Sequence, residues 1–187
     1  MPEVKDYLQP LLPITDREWG ALRDRLTPEH YAKQEKVITE GQQCNAIYFI
    51  ARGCFRFYTI REGNEEVTAF FFADSFMSNY RSFLTGAPSE HYIEALRDSV
   101  VYSLQKRDLT TLYDRYKTFE RLGRYLAENT YLAITGRLDS LLNSSPEERY
   151  RALVSNQSRL LQEIPQYMIA SYLGVKPETL SRIRARM

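Results

Sequence analysis

The chain has 187 residues, enough for one large or two small domains, and its 43% hydrophobic content suits a folded protein rather than a disordered one. A formal net charge of +1 excludes a molecule that gathers nucleic acid by overall charge, so any such affinity must come from a local patch. Two cysteines, Cys44 and Cys54, exclude a disulfide framework and a cysteine-based zinc site, and both are expected as small, half-buried strand residues. The sequence shows no leader pattern and no apolar run of membrane-spanning length, so a cytoplasmic location without membrane contact is expected.

The first predicted element is a helix. Thr15 and Glu18 have the spacing of a capping box, and Trp19, Leu22 and Leu26 follow at helical steps. Leu11, Leu12 and Ile14 are expected to pack onto the same body. Strands then dominate, at residues 36–39, 46–51, 54–60, 67–72, 92–96 and 100–104, separated by turns at Glu40-Gly41-Gln42, Arg52-Gly53, Arg61-Glu62-Gly63-Asn64 and Arg97-Asp98-Ser99. Short strands at regular spacing, with 14 tyrosines and 9 phenylalanines to fill them, argue for an antiparallel sandwich or closed roll. Cys54-Phe55-Arg56-Phe57-Tyr58 partly alternates, as a half-buried strand does. Phe70-Phe71-Phe72 is apolar on both faces and predicts a central strand. From Ser75 to Glu90 the pattern breaks into a short helical turn followed by a loop.

Helical periodicity takes over at about Lys106. A short helix is predicted over 108–116 and a long one over 119–142. The long helix has more apolar surface than one small roll covers, so its outer stripe is expected to meet a second copy in a homodimer. Phe119, Leu122, Leu126 and Ala133 are the candidate seam residues, and Leu126→Asp is expected to break the dimer. Asn143-Ser144-Ser145-Pro146 reads as a hinge, with Ser145 and Glu148 forming another capping box and Pro146 at the first helical position. The expected division is residues 1–117, a long helix at 118–143, and a helical unit at 144–187.

That last unit carries the strongest pattern, from Gln166 to Ala185. Ile169, Leu173, Val175, Leu180 and Ile183 supply apolar positions that lock two short helices together, and Ala170 is small where they approach. Gly174 sits where the turn needs positive φ, and Pro177 falls in the first turn of the second helix. The second helix leaves Lys176, Glu178, Thr179, Ser181, Arg182, Arg184 and Arg186 on its polar side, with Gln166 opening the first helix. Between Lys176 and Met187 four basic residues face one acidic residue, a local charge of +3. This is the chemistry of a helix-turn-helix whose second helix lies in the major groove of double-stranded DNA.

An antiparallel roll, a long helix and a C-terminal helix-turn-helix, in that order, resemble the Crp/Fnr family of bacterial transcription regulators over nearly the whole chain. The resemblance is carried by Val37-Ile38-Thr39-Glu40-Gly41, by Ile47–Tyr58 with its turn glycine Gly53, and by Lys176-Pro177-Glu178-Thr179-Leu180-Ser181-Arg182. It implies an α+β fold with an N-terminal cyclic nucleotide-binding-like β-roll (jelly roll), a dimerisation helix and a helix-turn-helix domain. It further implies that Glu178 and Arg182 read base edges, as a carboxylate accepting from cytosine N4 and a guanidinium forking onto guanine can, and that Thr179 holds a phosphate. RNA polymerase is a further partner implied by such a regulator.

Two departures from the family pattern shape the expected function. Cyclic-AMP members bind the ribose with a Gly-Glu pair and the cyclic phosphate with an Arg-Ser pair; here those places read Ser78-Asn79 and Ser89-Glu90. Without the arginine an anionic phosphate would be buried unpaired, and Glu90 adds negative charge, so cyclic AMP is not the expected effector. Met77, Ser78, Asn79, Tyr80, Arg81, Ser89 and Glu90 make a degenerate cassette that takes an unidentified small molecule or nothing. Phe70, Phe72, Met77, Tyr80 and Tyr92 are read as core first and as an apolar pocket second. The second departure is the missing β-hairpin wing after the recognition helix, from which fewer phosphate contacts and a shallower salt dependence are expected.

No metal or cofactor is expected. No cysteine precedes Cys44, which excludes a four-thiolate iron–sulfur cluster of the family's oxygen-sensing kind, and His30 and His91 alone do not suggest haem. The alternatives weighed are a module whose C-terminal helices bind protein rather than DNA, and a cupin-like enzyme, for which two histidines about sixty residues apart offer no metal cluster.

Overall fold

The structure, a computed structural model, describes residues 1–186; Met187, the end of the basic segment, lies outside the described residues. The chain divides into two compact units, one of Met1–Thr59 with Ala69–Ala127, the other of Ile60–Thr68 with Glu128 onward.

In the first unit, α1 (Pro2–Leu8) and α2 (Asp16–Arg23) precede the strands. α1 was not legible as a helix; Val4 and Leu8, four residues apart, give it a buried edge. α2 starts as expected, with the Thr15 hydroxyl accepting from the Glu18 N–H and the Glu18 carboxylate accepting from the Thr15 N–H. The strands are β1 (Thr27–Tyr31), β2 (Lys36–Ile38), β3 (Ala46–Arg52), β4 (Cys54–Arg61), β5 (Asn64–Phe72), β6 (Ser75–Met77), β7 (Tyr92–Ala95) and β8 (Ser99–Gln105). They form two four-stranded antiparallel sheets, in the orders β1-β8-β3-β6 and β2-β7-β4-β5. The helices α3 (Tyr80–Thr85) and α4 (Lys106–Arg115) follow β6 and β8.

One core takes in Phe49 and Ile50 of β3, Phe55 of β4, Ile93 of β7 and Val101 of β8. Leu112 of α4 and Phe119 and Leu122 of α5 (Lys117–Asn143) join it. Tyr7, Phe49 and Phe76 form a ring-to-ring triad with centroids 5.2–5.7 Å apart, pinning α1 to β3 and β6. Gly53, between β3 and β4, has φ +117°, and a Cβ there would stand 1.9 Å from Ser99 Oγ, so no other residue fits that turn.

Four sequence expectations change. β1, where no strand is predicted, pairs with β8 from Thr27↔Ser103 to Tyr31↔Ser99; as an edge strand it tolerates Pro28. The segment expected as a helical turn opens instead with β6, where Phe76 lies opposite Phe49. Phe70-Phe71-Phe72 is not central: β5 is the edge of its sheet and all three rings are half-buried. Cys44 lies in the loop before β3, and both cysteines are fully buried.

The alternation predicted over Cys54–Tyr58 is absent, because Cys54, Phe55, Tyr58 and also the charged Arg56 are buried. Arg56 lies opposite Glu94 and is buried with it, the Arg56 Nε and guanidinium nitrogen donating to the two Glu94 oxygens at 3.2 Å each. Tyr58 donates to the same carboxylate at 2.9 Å, and the guanidinium lies 4.0 Å from the Tyr58 ring centroid. Two charges survive burial here because each is the other's partner.

The second unit continues α5 and adds α6 (Pro146–Asn156), α7 (Ser158–Glu163), α8 (Gln166–Tyr172) and α9 (Pro177–Ala185). The hinge serine caps α6 as predicted, Ser145 and Glu148 exchanging both capping bonds. α8 ends in a Schellman turn: the Gly174 N–H donates to Ser171 O, the Val175 N–H donates to Ala170 O, and Gly174 takes φ +67°. Ile169, Ala170, Leu173, Leu180 and Ile183 are buried between α8, α9 and their neighbours, while Val175 is half-buried.

Candidate functional site

α9 begins directly after the turn, with Lys176 at its N-cap and Pro177 in its first turn. Leu180 and Ile183 anchor its inner side. Lys176, Glu178, Ser181, Arg182, Arg184 and Arg186 are exposed, Thr179 is half-buried, and Gln166 is exposed at the start of α8. The Arg182 guanidinium leans back along the helix, its Nε 3.4 Å from the Glu178 carbonyl and a terminal nitrogen 3.4 Å from Thr179 Oγ1. Bonds this long hold the side chain weakly, so it is free to re-aim.

α8 is fixed by three side chains that the sequence did not single out. Arg137 of α5 donates to the Tyr172 carbonyl and stacks on the Tyr172 ring, 3.9 Å from its centroid; burial pushes its pKa below the ordinary arginine value. Arg149 of α6 donates to the Leu173 carbonyl at 3.0 Å. Two arginines therefore satisfy carbonyls at the helix C-terminus, where positive charge is favoured. The third is Ser171, whose hydroxyl accepts from the Val67 N–H at 2.9 Å and donates to the Glu65 carbonyl at 3.0 Å.

The long helix presents two unlike faces. Phe119 and Leu122 are 0% and 3% exposed in their own core, and Leu126 packs against that core. Of the four residues expected at a seam, Phe119 and Leu122 have no surface left to give a partner helix, Leu126 is half-buried against the core, and Ala133 is exposed. Tyr131, Ile134 and Leu138 stand out on the other side, 67%, 62% and 55% exposed. With Ala127 and Leu141 they recur at alternating four- and three-residue steps.

The cassette residues satisfy one another. Asn79 caps α3 through its Oδ1, which accepts from the Ser82 N–H, and its amide donates to Ser89 Oγ at 2.6 Å. Ser89 in turn donates to the His91 carbonyl at 2.6 Å, and Ser78 donates to the Ala46 carbonyl at 3.0 Å. Met77 is buried; Tyr80 is half-buried, its hydroxyl pKa raised by that burial, and it stacks on Phe83. Arg81 points outward and pairs with exposed Glu90 at 3.1 Å. Phe57 and His91 stack with centroids 4.5 Å apart, and Phe71 lies 6.4 Å from Phe57. Tyr92 stacks instead on Tyr58, on the face of the sheet that carries Arg56 and Glu94, so it does not share an apolar pocket with Met77 and Tyr80. A surface depression of about 420 Å³ lined by Gln42, Gln43, Asn45, Tyr48 and Gln105 takes in none of these groups. Among the described residues no three His, Cys, Asp or Glu side chains gather as a metal site would need.

Residues 28–116 match the cyclic nucleotide-binding domain family. No curated protein matches the chain. Among solved structures, FixK2 from Bradyrhizobium japonicum is similar at 18% identity and a TM-score of 0.76, over 86% of this chain and 83% of that one. A protein from Eubacterium rectale described as a transcriptional regulator of the Crp/Fnr family is similar at 16% identity and a TM-score of 0.72, over 97% and 87%. The catabolite activator protein of Thermus thermophilus is similar at 21% identity and a TM-score of 0.57, over 92% and 83%. The chain has the Crp/Fnr regulator fold. Within that fold, the places that the resemblance gives to ribose and phosphate contain no unpaired cation: Ser78, Asn79 and Ser89 bond inward, and Arg81 is held by Glu90. No helix among the described residues is long and apolar enough to cross a membrane.

Proposed function

We propose that the chain is a homodimeric, cytoplasmic transcription regulator of the Crp/Fnr type that binds double-stranded DNA through α9 and does not respond to cyclic AMP. The observation that carries the reading is the outer row of α9: cationic and hydrogen-bonding side chains stand exposed on a helix whose opposite side is locked by Leu180 and Ile183. Glu178 and Arg182 then address base edges, while Lys176, Thr179, Ser181, Arg184, Arg186 and Gln166 address the backbone or flank it. The exposed stripe of Tyr131, Ile134 and Leu138 supplies a seam for a second copy, which doubles the recognition helix.

The cassette reading follows from charge. A cyclic phosphate entering among Asn79, Ser89 and Glu90 must break the Asn79–Ser89 bond and finds Arg81 already neutralised by Glu90. The effector, where there is one, is a small molecule without that anionic demand. One titration tests both halves. Binding of random duplex DNA is expected to weaken as salt rises, because phosphate contacts release counterions, and to be unchanged by millimolar cyclic AMP. Salt-insensitive binding points to a protein-binding surface instead, and a cyclic-AMP response overturns the cassette reading.

A further inference from the structure

The hairpin that joins β4 to β5 meets α8 at the Ser171 hydroxyl. Ser171 Oγ accepts from the Val67 N–H and donates to the Glu65 carbonyl, 2.9 and 3.0 Å. These are backbone groups on the outer edge of β5, the last strand of its sheet, where a neighbouring strand would otherwise bond. One serine thus does for the edge what a one-residue strand would do. The same helix has its C-terminal carbonyls held by Arg137 and Arg149, and α9 follows it after one tight turn. β4 and β5 run by chain connection from the hairpin into the sensor sheet, with Phe71 in the Phe57–His91 cluster.

We propose that Ser171 is a positioning residue that couples the sensor hairpin to the recognition helix: it fixes the direction of α8, and through the Schellman turn the aim of α9, without touching DNA. This rests on the regulator reading above. The consequence is specific. One half-site needs only the surface of α9, whereas two half-sites together need both recognition helices held at the correct separation, so the hydroxyl matters for the pair and not for the single site.

The test uses the full chain, with a duplex selected for tight binding and a truncated duplex holding one half of it. Ser171→Ala is expected to lower affinity for the full duplex about fivefold, the loss expected from one hydrogen-bonding group, while half-site affinity stays within twofold. Duplexes whose half-sites are moved by one base pair should then be discriminated less sharply than by the unsubstituted chain. Hydrogen exchange at the Val67 amide should rise, and Ser171→Thr, which keeps the hydroxyl, should restore both spacing preference and protection. Equal loss on full and half duplexes would mean simple damage to the helix pair and overturns the proposal. So does unchanged affinity when Val67 exchange has risen, since the bond is then broken without effect. If the unsubstituted chain binds no duplex at all, it is the regulator reading that fails.

Discussion

Leu138→Asp is expected to turn the proposed dimer into a monomer. Leu138 is more than half exposed in the single chain, in a stripe that includes Tyr131 and Ile134. A carboxylate placed in a two-helix seam faces its own copy across the twofold axis, so two like charges would be buried together without a cation. The monomer keeps one recognition helix. Linking two binding elements multiplies affinity by roughly 10²- to 10⁴-fold, and that factor is the expected loss on a two-half-site duplex. Because Leu138 is exposed, the fold of the isolated chain should be untouched, and thermal unfolding followed by near-ultraviolet circular dichroism checks this. Leu126→Asp is the contrasting variant. Leu126 packs on the core of the first unit, so its substitution should destabilise that unit rather than act through the seam. A dimeric mass for Leu138→Asp by sedimentation would remove the stripe from the account.

Arg182→Ala is expected to cost about 1–3 kcal/mol on the preferred duplex and to relax the preference at one base position. The side chain is exposed, lies one turn beyond Glu178, and is held back only by two 3.4 Å contacts, so reaching a guanine breaks little. Removing it should leave the helix itself intact, since Leu180 and Ile183 do the anchoring. Arg184→Ala should behave differently, weakening all duplexes alike and lowering the salt slope by about one. If Arg182→Ala also weakens all duplexes uniformly, Arg182 is a phosphate contact, and base reading must be assigned to Glu178 and its neighbours.

What the sequence made legible was what local chemistry dictates. Both capping boxes, the turn glycines, the helix break at Asn143–Pro146 and the buried positions of α8 and α9 could be read because each depends on a few neighbouring residues. What it hid depends on distant partners. Arg56 looks like a solvent-facing strand residue until Glu94, thirty-eight positions on, is placed opposite it. β1 and β6 carry little strand pattern of their own and exist because β8 and β3 offer them an edge. The long helix shows the subtler difficulty. It has two apolar faces, and the larger, better-spaced aromatic and leucine positions near its start attract attention although they belong to the core. The alternating steps through Ala127, Tyr131, Ile134, Leu138 and Leu141 were present to be counted, but only burial tells which of two stripes is already used. The clamps on α8 had no sequence signal, because Ser171, Arg137 and Arg149 bond to main-chain groups far along the chain.

The central claim is that α9 is presented twice, by two copies of the chain, to the major groove. The most direct measurement is selection of bound duplexes from a random pool by the purified chain. The expected result is a two-fold symmetric motif whose halves lie about one helical turn apart, near 34 Å, or a whole multiple of that distance. A pool that yields no enriched sequence, or a single unpaired motif bound by one copy, would contradict it.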